Sequence, residues 1–459
     1  MATALQTARL LDYFTIIPDG ENQRLLVVPD GNGMWTLPRW RDTDDHYWQA
    51  VNHVNSTVRH TWGLKVTTLR CLCNRRNVKG RRDCRIYEME THGGIPKILP
   101  MQARWVSEQE IGSLEISEPE HRLLMRSWFL DVSSPEPHHS RTPWMRRGWI
   151  ANAVSWMLDQ LSRLAILPTG PVEQMRIWHR SAILRVPTNE GYVYFKALPP
   201  SPPAADSLAH ELISQYAEYL PSHVAVDPHR GWSMIREPGS GSSSNGSSEE
   251  GWQEAIQALA RIQRNSVNHV KRYLQMGLPD RRVGRMPTRV ELLLGDLESI
   301  APHRSRALKD HEIQRLQDLE PRLKSDCARL ATYRIPPALE HGDFFAGDAV
   351  IQQPGAIFLD WSEAAVSHPF FSVALNSTES DGTLADASVR SRLRDTYLQA
   401  WSSFETPDRL LEAFEIAYRL APLHYAVTLH QMGLPNVETQ WEVEVSLPYF
   451  LRLLLVRYP

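Results

Sequence analysis

The sequence predicts an α+β protein: a small α/β domain, then a two-lobed unit whose antiparallel, strand-rich half precedes a mainly helical half. Three observations carry this. Short apolar segments bounded by turn residues fill about the first 130 residues and return between 172 and 236. From residue 249 onward, apolar positions recur at helical spacing. A proline-rich stretch at 133–143 and an almost pure Gly/Ser stretch at 239–248 separate these regions, and such compositions bury too little surface to form a core.

At 459 residues the chain exceeds what one compact core usually organises. The expected plan is a domain at 1–132, a linker at 133–143, a strand-rich lobe at 144–238, a flexible link at 239–250 and a helical lobe at 251–459. In the first domain a strand at 23–28 ends in the turn Pro29-Asp30-Gly31-Asn32-Gly33, and a helix at 47–62 stops at Gly63. Strands at 64–74 and 84–90 and a helix at 118–129 complete it. The second region opens with a helix at 145–165, followed by strands at 172–178, 182–186 and 192–198, the last two joined by a tight turn at Asn189-Glu190-Gly191. A helix at 207–219 and short strands at 224–226 and 232–236 precede the Gly/Ser stretch. Beyond it, helices fill 249–330 and return from 386 onward.

Charge is nearly balanced, 50 basic against 53 acidic side chains for a net −3, which provides no overall footprint for nucleic acid or an anionic membrane. Neither partner is expected. The four cysteines, Cys71, Cys73, Cys84 and Cys327, match no closed zinc spacing, and no run approaches a membrane span. A soluble, cytoplasmic protein is expected.

The chemistry concentrates after residue 338. The chain reads Leu339-Glu340-His341-Gly342-Asp343-Phe344-Phe345-Ala346-Gly347-Asp348, then a turn, then Phe358-Leu359-Asp360-Trp361, then Ser367-His368-Pro369-Phe370-Phe371-Ser372. Asp343 and Asp348 share a loop, while Asp360 ends a strand a little further on, so a hairpin can gather the three carboxylates. Phosphoryl transfer uses such a set: one carboxylate orients a hydroxyl, and others hold the Mg²⁺ that neutralises phosphate charge.

This block resembles the H-G-D-x-x-x-x-N and later I-D-W signature of the aminoglycoside phosphotransferase and choline kinase superfamily, whose fold is protein-kinase-like. The resemblance implies an ATP- and Mg²⁺-dependent phosphotransferase acting on a hydroxyl of a small-molecule acceptor. Asp343 would position or deprotonate that hydroxyl, and Asp360, with Asp348, would ligate the metal. The family's Asn position is held here by Asp348, and Ser372 stands where many relatives carry Asp. The resemblance further implies a lysine on the third strand of the preceding lobe, which Lys196 supplies, as a contact for the α- and β-phosphates. Glu211 would be its ion-pair partner, with Glu218 as second choice. Ser181, in a glycine-poor turn after His179-Arg180, would meet the phosphates, and Ser233-Met234-Ile235-Arg236-Glu237 resembles the hinge strand, with Ile235 and Glu237 beside adenine.

In the first domain, Gly33-Met34-Trp35-Thr36-Leu37-Pro38 followed by a helix closing at Gly63-Leu64 resembles the frame of a Nudix domain. Aligned on that closure, Trp48, Thr57, His60 and Thr61 occupy the glutamate positions and Ser56 the arginine, so a Nudix-like fold without hydrolase activity is expected. Asp348, the glycine-poor turn and the stripped Nudix box together motivate an alternative reading, a pseudokinase serving as a nucleotide- or ligand-binding module.

Overall fold

The structure, a computed structural model, describes residues 10–43, 46–75, 83–96, 98–100, 102–199, 215–238, 248–297, 308–344, 349–351, 356–376, 382–431, 438 and 440–459. Glu211, Asp348 and most of the Gly/Ser stretch lie outside these residues. The chain divides into two compact units. One comprises Met1–Pro200, Val224–Ile235 and Asn436–Trp441; the other comprises Ser201–His223, Arg236–Pro435 and Glu442–Pro459.

The first unit begins with strand β1 (Leu11–Ile16), followed by β2 (Leu25–Pro29), β3 (Trp35–Thr36), β4 (Arg39–Asp42), helix α1 (Asn52–Trp62), β5 (Lys65–Arg75), β6 (Asp83–His92), β7 (Arg104–Val106), α2 (Glu108–Ser113) and α3 (Pro119–Ser133). Four strands form a mixed sheet in the order β4-β1-β6-β5, with β1 parallel to β6 and antiparallel to β4. A second sheet runs β3-β2-β7. β1 precedes the first strand expected from the sequence. Its run of Leu11, Tyr13, Phe14 and Ile16 has no turn residue before it, and only its place between two partners makes it a strand.

Helix α1 buries Val54, Val58 and Trp62 on one face and closes at Gly63, whose φ of 68° lets its N–H reach the Arg59 carbonyl at 3.0 Å. It starts later than the sequence suggests. The backbone of 49–51 is committed elsewhere: Val51 N–H donates to Met175 O and Ile177 N–H to Gln49 O, both at 3.0 Å. The Gln49 carbonyl, used by Ile177, is then lost as an acceptor for a helix running through 49.

The rest of this unit holds α4 (Trp149–Arg163) and strands β8 (Glu173–Trp178), β9 (Ser181–Thr188), β10 (Gly191–Ala197), β11 (His223–Asp227) and β12 (Trp232–Arg236), in the sheet order β11-β12-β10-β9-β8. β9 pairs antiparallel with both β8 and β10, and Gly191 at φ 99° closes the β9–β10 turn. The spacing Ala153, Met157, Leu161 gives α4 its buried stripe. Trp149 and Trp156 pack on Trp232 with centroids 5.8 and 5.5 Å apart, and Phe195 joins them. Trp149 and Trp156 are half-buried, whereas Phe195 is fully buried, which contributes roughly 1.5–3 kcal/mol.

The second unit is mainly helical: α5 (Glu249–Ser266), α6 (Val270–Met276), α7 (Met286–Gly295), α8 (Asp310–Asp318) and α9 (Glu320–Leu330), then, after the strands below, α10 (Phe370–Asn376), α11 (Ala387–Gln399), α12 (Pro407–Gln431) and α13 (Gln440–Arg457). Ser248 caps α5, its Oγ accepting from Gly251 N–H at 3.2 Å, and Glu249 and Glu250 favour the same end. Between α9 and α10 lie two short ribbons. β13 (Ala338–Glu340) pairs with β16 (Ala365–Ser367), and β14 (Ala349–Ile351) with β15 (Ala356–Phe358), both antiparallel. Among the described residues, no helix is long and apolar enough to cross a membrane. The chain is α+β, as its apolar patterning indicates.

Candidate active site

The site in the second unit is built on the end of β13. There the chain turns through His341-Gly342-Asp343 toward the β14–β15 hairpin. Gly342 has φ 85°, and a side chain would bring its Cβ to 2.1 Å from the Glu363 carbonyl oxygen. Only glycine permits this approach of two backbones. The imidazole of His341 is buried, and its Nε2–H donates to the Leu359 carbonyl at 2.7 Å. Its ring packs against Trp361 and Phe344, with centroids at 4.6 and 5.7 Å.

Leu359 immediately precedes Asp360, so the His341 bond and the Gly342–Glu363 approach join the Asp343 turn to the Asp360 corner. Asp360 itself sits in the left-handed region at φ 58°, an uncommon conformation that aspartate tolerates better than most residues. The Ser362 hydroxyl donates to Asp360 Oδ1. Both Asp343 and Asp360 are half-buried. Their oxygens are hard donors of the type Mg²⁺ takes, which fits them to that ion. Among the described residues, no group of three or more His, Cys, Asp or Glu side chains is gathered to hold a metal.

Beneath this turn lies a residue that sequence reasoning passed over. Glu340 is fully buried, its Oε1 accepting from Gly342 N–H at 3.0 Å and from Ser372 Oγ at 3.1 Å, its Oε2 from His424 Nε2–H at 3.2 Å. Burial pushes this carboxyl up, but the His424 hydrogen bond and charge, the Gly342 amide and the Arg281 charge outweigh it, and the group is held below its ordinary range. Ser372 Oγ also accepts from Gln263 Nε2 at 3.2 Å and from His341 N–H at 3.4 Å. Gln263 in turn accepts from Tyr397 OH at 2.6 Å. The available signal was a single acid in an otherwise apolar three-residue strand directly before the turn.

In the first unit, Lys196 lies on β10 opposite Ile183, half-buried between the buried Phe195 and Ala197. Ser181 begins β9 after a two-residue hairpin turn and is buried. Its Oγ accepts from Trp178 Nε1 at 2.8 Å, which leaves its own O–H to donate. Trp144 Nε1 donates to Trp178 O at 2.6 Å, and the Arg180 guanidinium lies 5.1 Å over the Trp178 ring. Ile235 is half-buried on β12, and Glu237, just beyond it, is exposed and falls in the second unit. The geometry thus joins the Asp343 and Asp360 segments within one unit and places Lys196, Ser181 and Ile235 in the other. Glu211 and Asp348 are outside the described residues. Helix α1, within the segment that the sequence aligns with a Nudix box, carries no Asp or Glu.

Residues 193–413 match the model of the phosphotransferase enzyme family. No curated relative matches the chain. Among solved structures, a macrolide 2'-phosphotransferase type I is 17% identical over 64% of this chain and 97% of its own, with a TM-score of 0.45. A spectinomycin phosphotransferase in complex with ADP and spectinomycin is 10% identical over 66% and 98%, at 0.46. An ethanolamine kinase of Plasmodium vivax is 11% identical over 72% and 94%, also at 0.46.

Proposed function

We propose, from the match of residues 193–413 to the phosphotransferase enzyme family, that the chain transfers the γ-phosphoryl group of ATP to a hydroxyl of a small molecule. The observation that carries this reading is the coupling of two acidic backbone corners: the His341–Leu359 bond and the Gly342–Glu363 approach hold the Asp343 turn against the Asp360 segment. In this reading Asp343 orients the acceptor hydroxyl and takes its proton as the oxygen bonds to the γ-phosphorus and the β–γ bridging bond breaks, leaving ADP and a phosphomonoester.

Asp360, with Asp348 as a further ligand, would hold Mg²⁺, which supplies neutralisation of phosphate charge. Lys196, paired with Glu211, would contact the α- and β-phosphates, the Ser181 hydroxyl would donate to a phosphate oxygen, and the backbone at Ile235 and Glu237 would meet adenine. Catalysis would come mainly from positioning and charge placement. The acceptor is to be sought among amino-sugars, choline-like amines, homoserine and sugars. The N-terminal domain is read as a Nudix-like module at 1–132 without hydrolase activity, serving substrate binding, partner binding or dimerisation, since α1 offers no carboxylate. The four free cysteines suit a reducing, cytoplasmic compartment.

A thermal-shift titration with ATP and Mg²⁺ tests the first step. At a hundredfold excess over Kd, binding stabilises the protein by about 2.7 kcal/mol, and Asp360→Ala should lose most of that gain. No nucleotide-linked rise in the parent would sink the reading. ADP release across a panel of hydroxylated metabolites and antibiotics then identifies the acceptor.

A further inference from the structure

We infer that Glu340 is a positioning residue for the Asp343 turn, holding the amides of Gly342 directly and of His341 through Ser372. The inference rests on the reading of Asp343 as the catalytic carboxylate, and it concerns what keeps that carboxylate in place. A buried carboxylate without a compensating set of donors is unfavourable, so its persistence in the core asks for a reason. Here its oxygens are satisfied by three donors, from the turn itself (Gly342 N–H), from α10 (Ser372) and from α12 (His424).

The arrangement fits a brace. Gly342 N–H, at a left-handed residue two backbone atoms from Asp343, has its acceptor in the side chain of the residue two positions earlier, so the turn is tied to the strand that feeds it. Ser372 relays the carboxylate to the next amide: its hydroxyl gives its proton to Glu340 and receives His341 N–H. Ser372 is itself held by Gln263 of α5, whose other end is fixed by Tyr397 of α11. Strand β13 is pinned from the same helix, Leu339 N–H donating to Ser266 Oγ at 2.7 Å. Four helices thus converge on the backbone of one turn. An apolar side chain would fill the same volume but leave the Gly342 amide and the Ser372 hydroxyl without this acceptor.

Two measurements separate this inference from the functional reading on which it rests. The first is hydrogen exchange of the peptide spanning 340–344 without nucleotide, which needs no turnover. Ser372→Ala, a small change, should speed exchange there about tenfold, and Glu340→Leu, which keeps volume and removes both acceptors, should speed it more. Glu340→Gln, which retains an acceptor for Gly342, should restore most of the protection. The second is kinetics with the acceptor found above: Glu340→Leu should lower kcat about 100-fold with KM for ATP within about threefold, and Glu340→Gln should recover most of kcat.

Unchanged exchange at 340–344 in Ser372→Ala overturns the brace, as does equal loss in Glu340→Gln and Glu340→Leu. If Glu340→Leu does not fold, the Ser372→Ala and Glu340→Gln results decide the matter by themselves. Altered exchange in a protein whose parent turns over no acceptor would keep the brace and remove the phosphotransferase reading.

Discussion

In the first unit three arginines, Arg70, Arg141 and Arg147, face three carboxylates, Glu88, Asp131 and Glu438; in the second, one buried carboxylate, Glu340, faces one imidazole, one hydroxyl and one backbone amide. Arg141 forks onto Asp131 at 2.7 and 2.9 Å and onto Glu438 at 2.7 and 2.9 Å. Arg70 reaches Glu88 at 2.6 Å and also pairs with Glu438, while Arg147 meets Glu88 at 2.9 Å. Burial pushes Asp131 and Glu438 up, but the arginine hydrogen bonds and charges hold both below the usual carboxylate range. The first cluster balances charge with charge and ties side chains from distant parts of the chain to one another. The second spends a carboxylate on backbone. A charge-on-charge cluster is read out as stability, a charge-on-backbone brace as the geometry of the loop it holds.

The largest effect expected from breaking this contrast is at Arg141. Arg141→Ala leaves Asp131 and Glu438 without their principal partner in a buried setting and should cost about 3–5 kcal/mol in urea unfolding. A loss below about 1 kcal/mol would mean that the cluster is effectively solvated.

A buried histidine sharpens the comparison from the other side. His121 hydrogen-bonds with Thr36 Oγ1 at 3.2 Å beneath the Phe14 ring, and burial lowers its pKa to about 4. It stays neutral in the folded chain, whereas the unfolded chain takes up a proton below about pH 6.5. Stability should therefore fall as pH drops from about 6.5 to about 4, by roughly 3 kcal/mol in all. Urea midpoints at pH 7.5 and 4.5 should separate less in His121→Asn than in the parent; an equal separation would locate the acid sensitivity elsewhere.

Two glycines give the smaller effects. Gly342→Ala forces a Cβ onto the Glu363 carbonyl and should cost roughly 1–3 kcal/mol while abolishing turnover, a loss larger than its stability effect explains. Gly63→Ala meets only Pro96 Cγ at 3.6 Å and should cost about 1 kcal/mol from its left-handed φ alone, with turnover kept. Matching effects at the two positions would erase the distinction between a helix cap and the turn of the proposed site.

The strands around Lys196 were legible because Asn189-Glu190-Gly191 punctuates two alternating runs, and the observed bounds Ser181–Thr188 and Gly191–Ala197 differ from the expected ones by no more than two residues at each end. The β14–β15 hairpin was legible for the same reason. Helix α1 began late because the Gln49 carbonyl and the Val51 amide are bonded to β8, and β1 went unread because both of its partners lie elsewhere in the sequence. Glu340 was passed over because an acid beside a recognisable turn looks like any surface charge until its neighbours are known.

The amino-acid order by itself determined most of the local elements, the α+β class and the candidate residues for the proposed chemistry, since these depend on periodicity, turn residues and side-chain type over short spans. Tertiary structure alone decided that Gly342 must be glycine because Glu363 approaches it, that His341 reaches Leu359, and that Glu340 serves the turn from below. His341 and Leu359 are 18 residues apart, and Glu340 is held by Ser372 and His424 from two separate helices, so only the packed core brings these groups within hydrogen-bond reach.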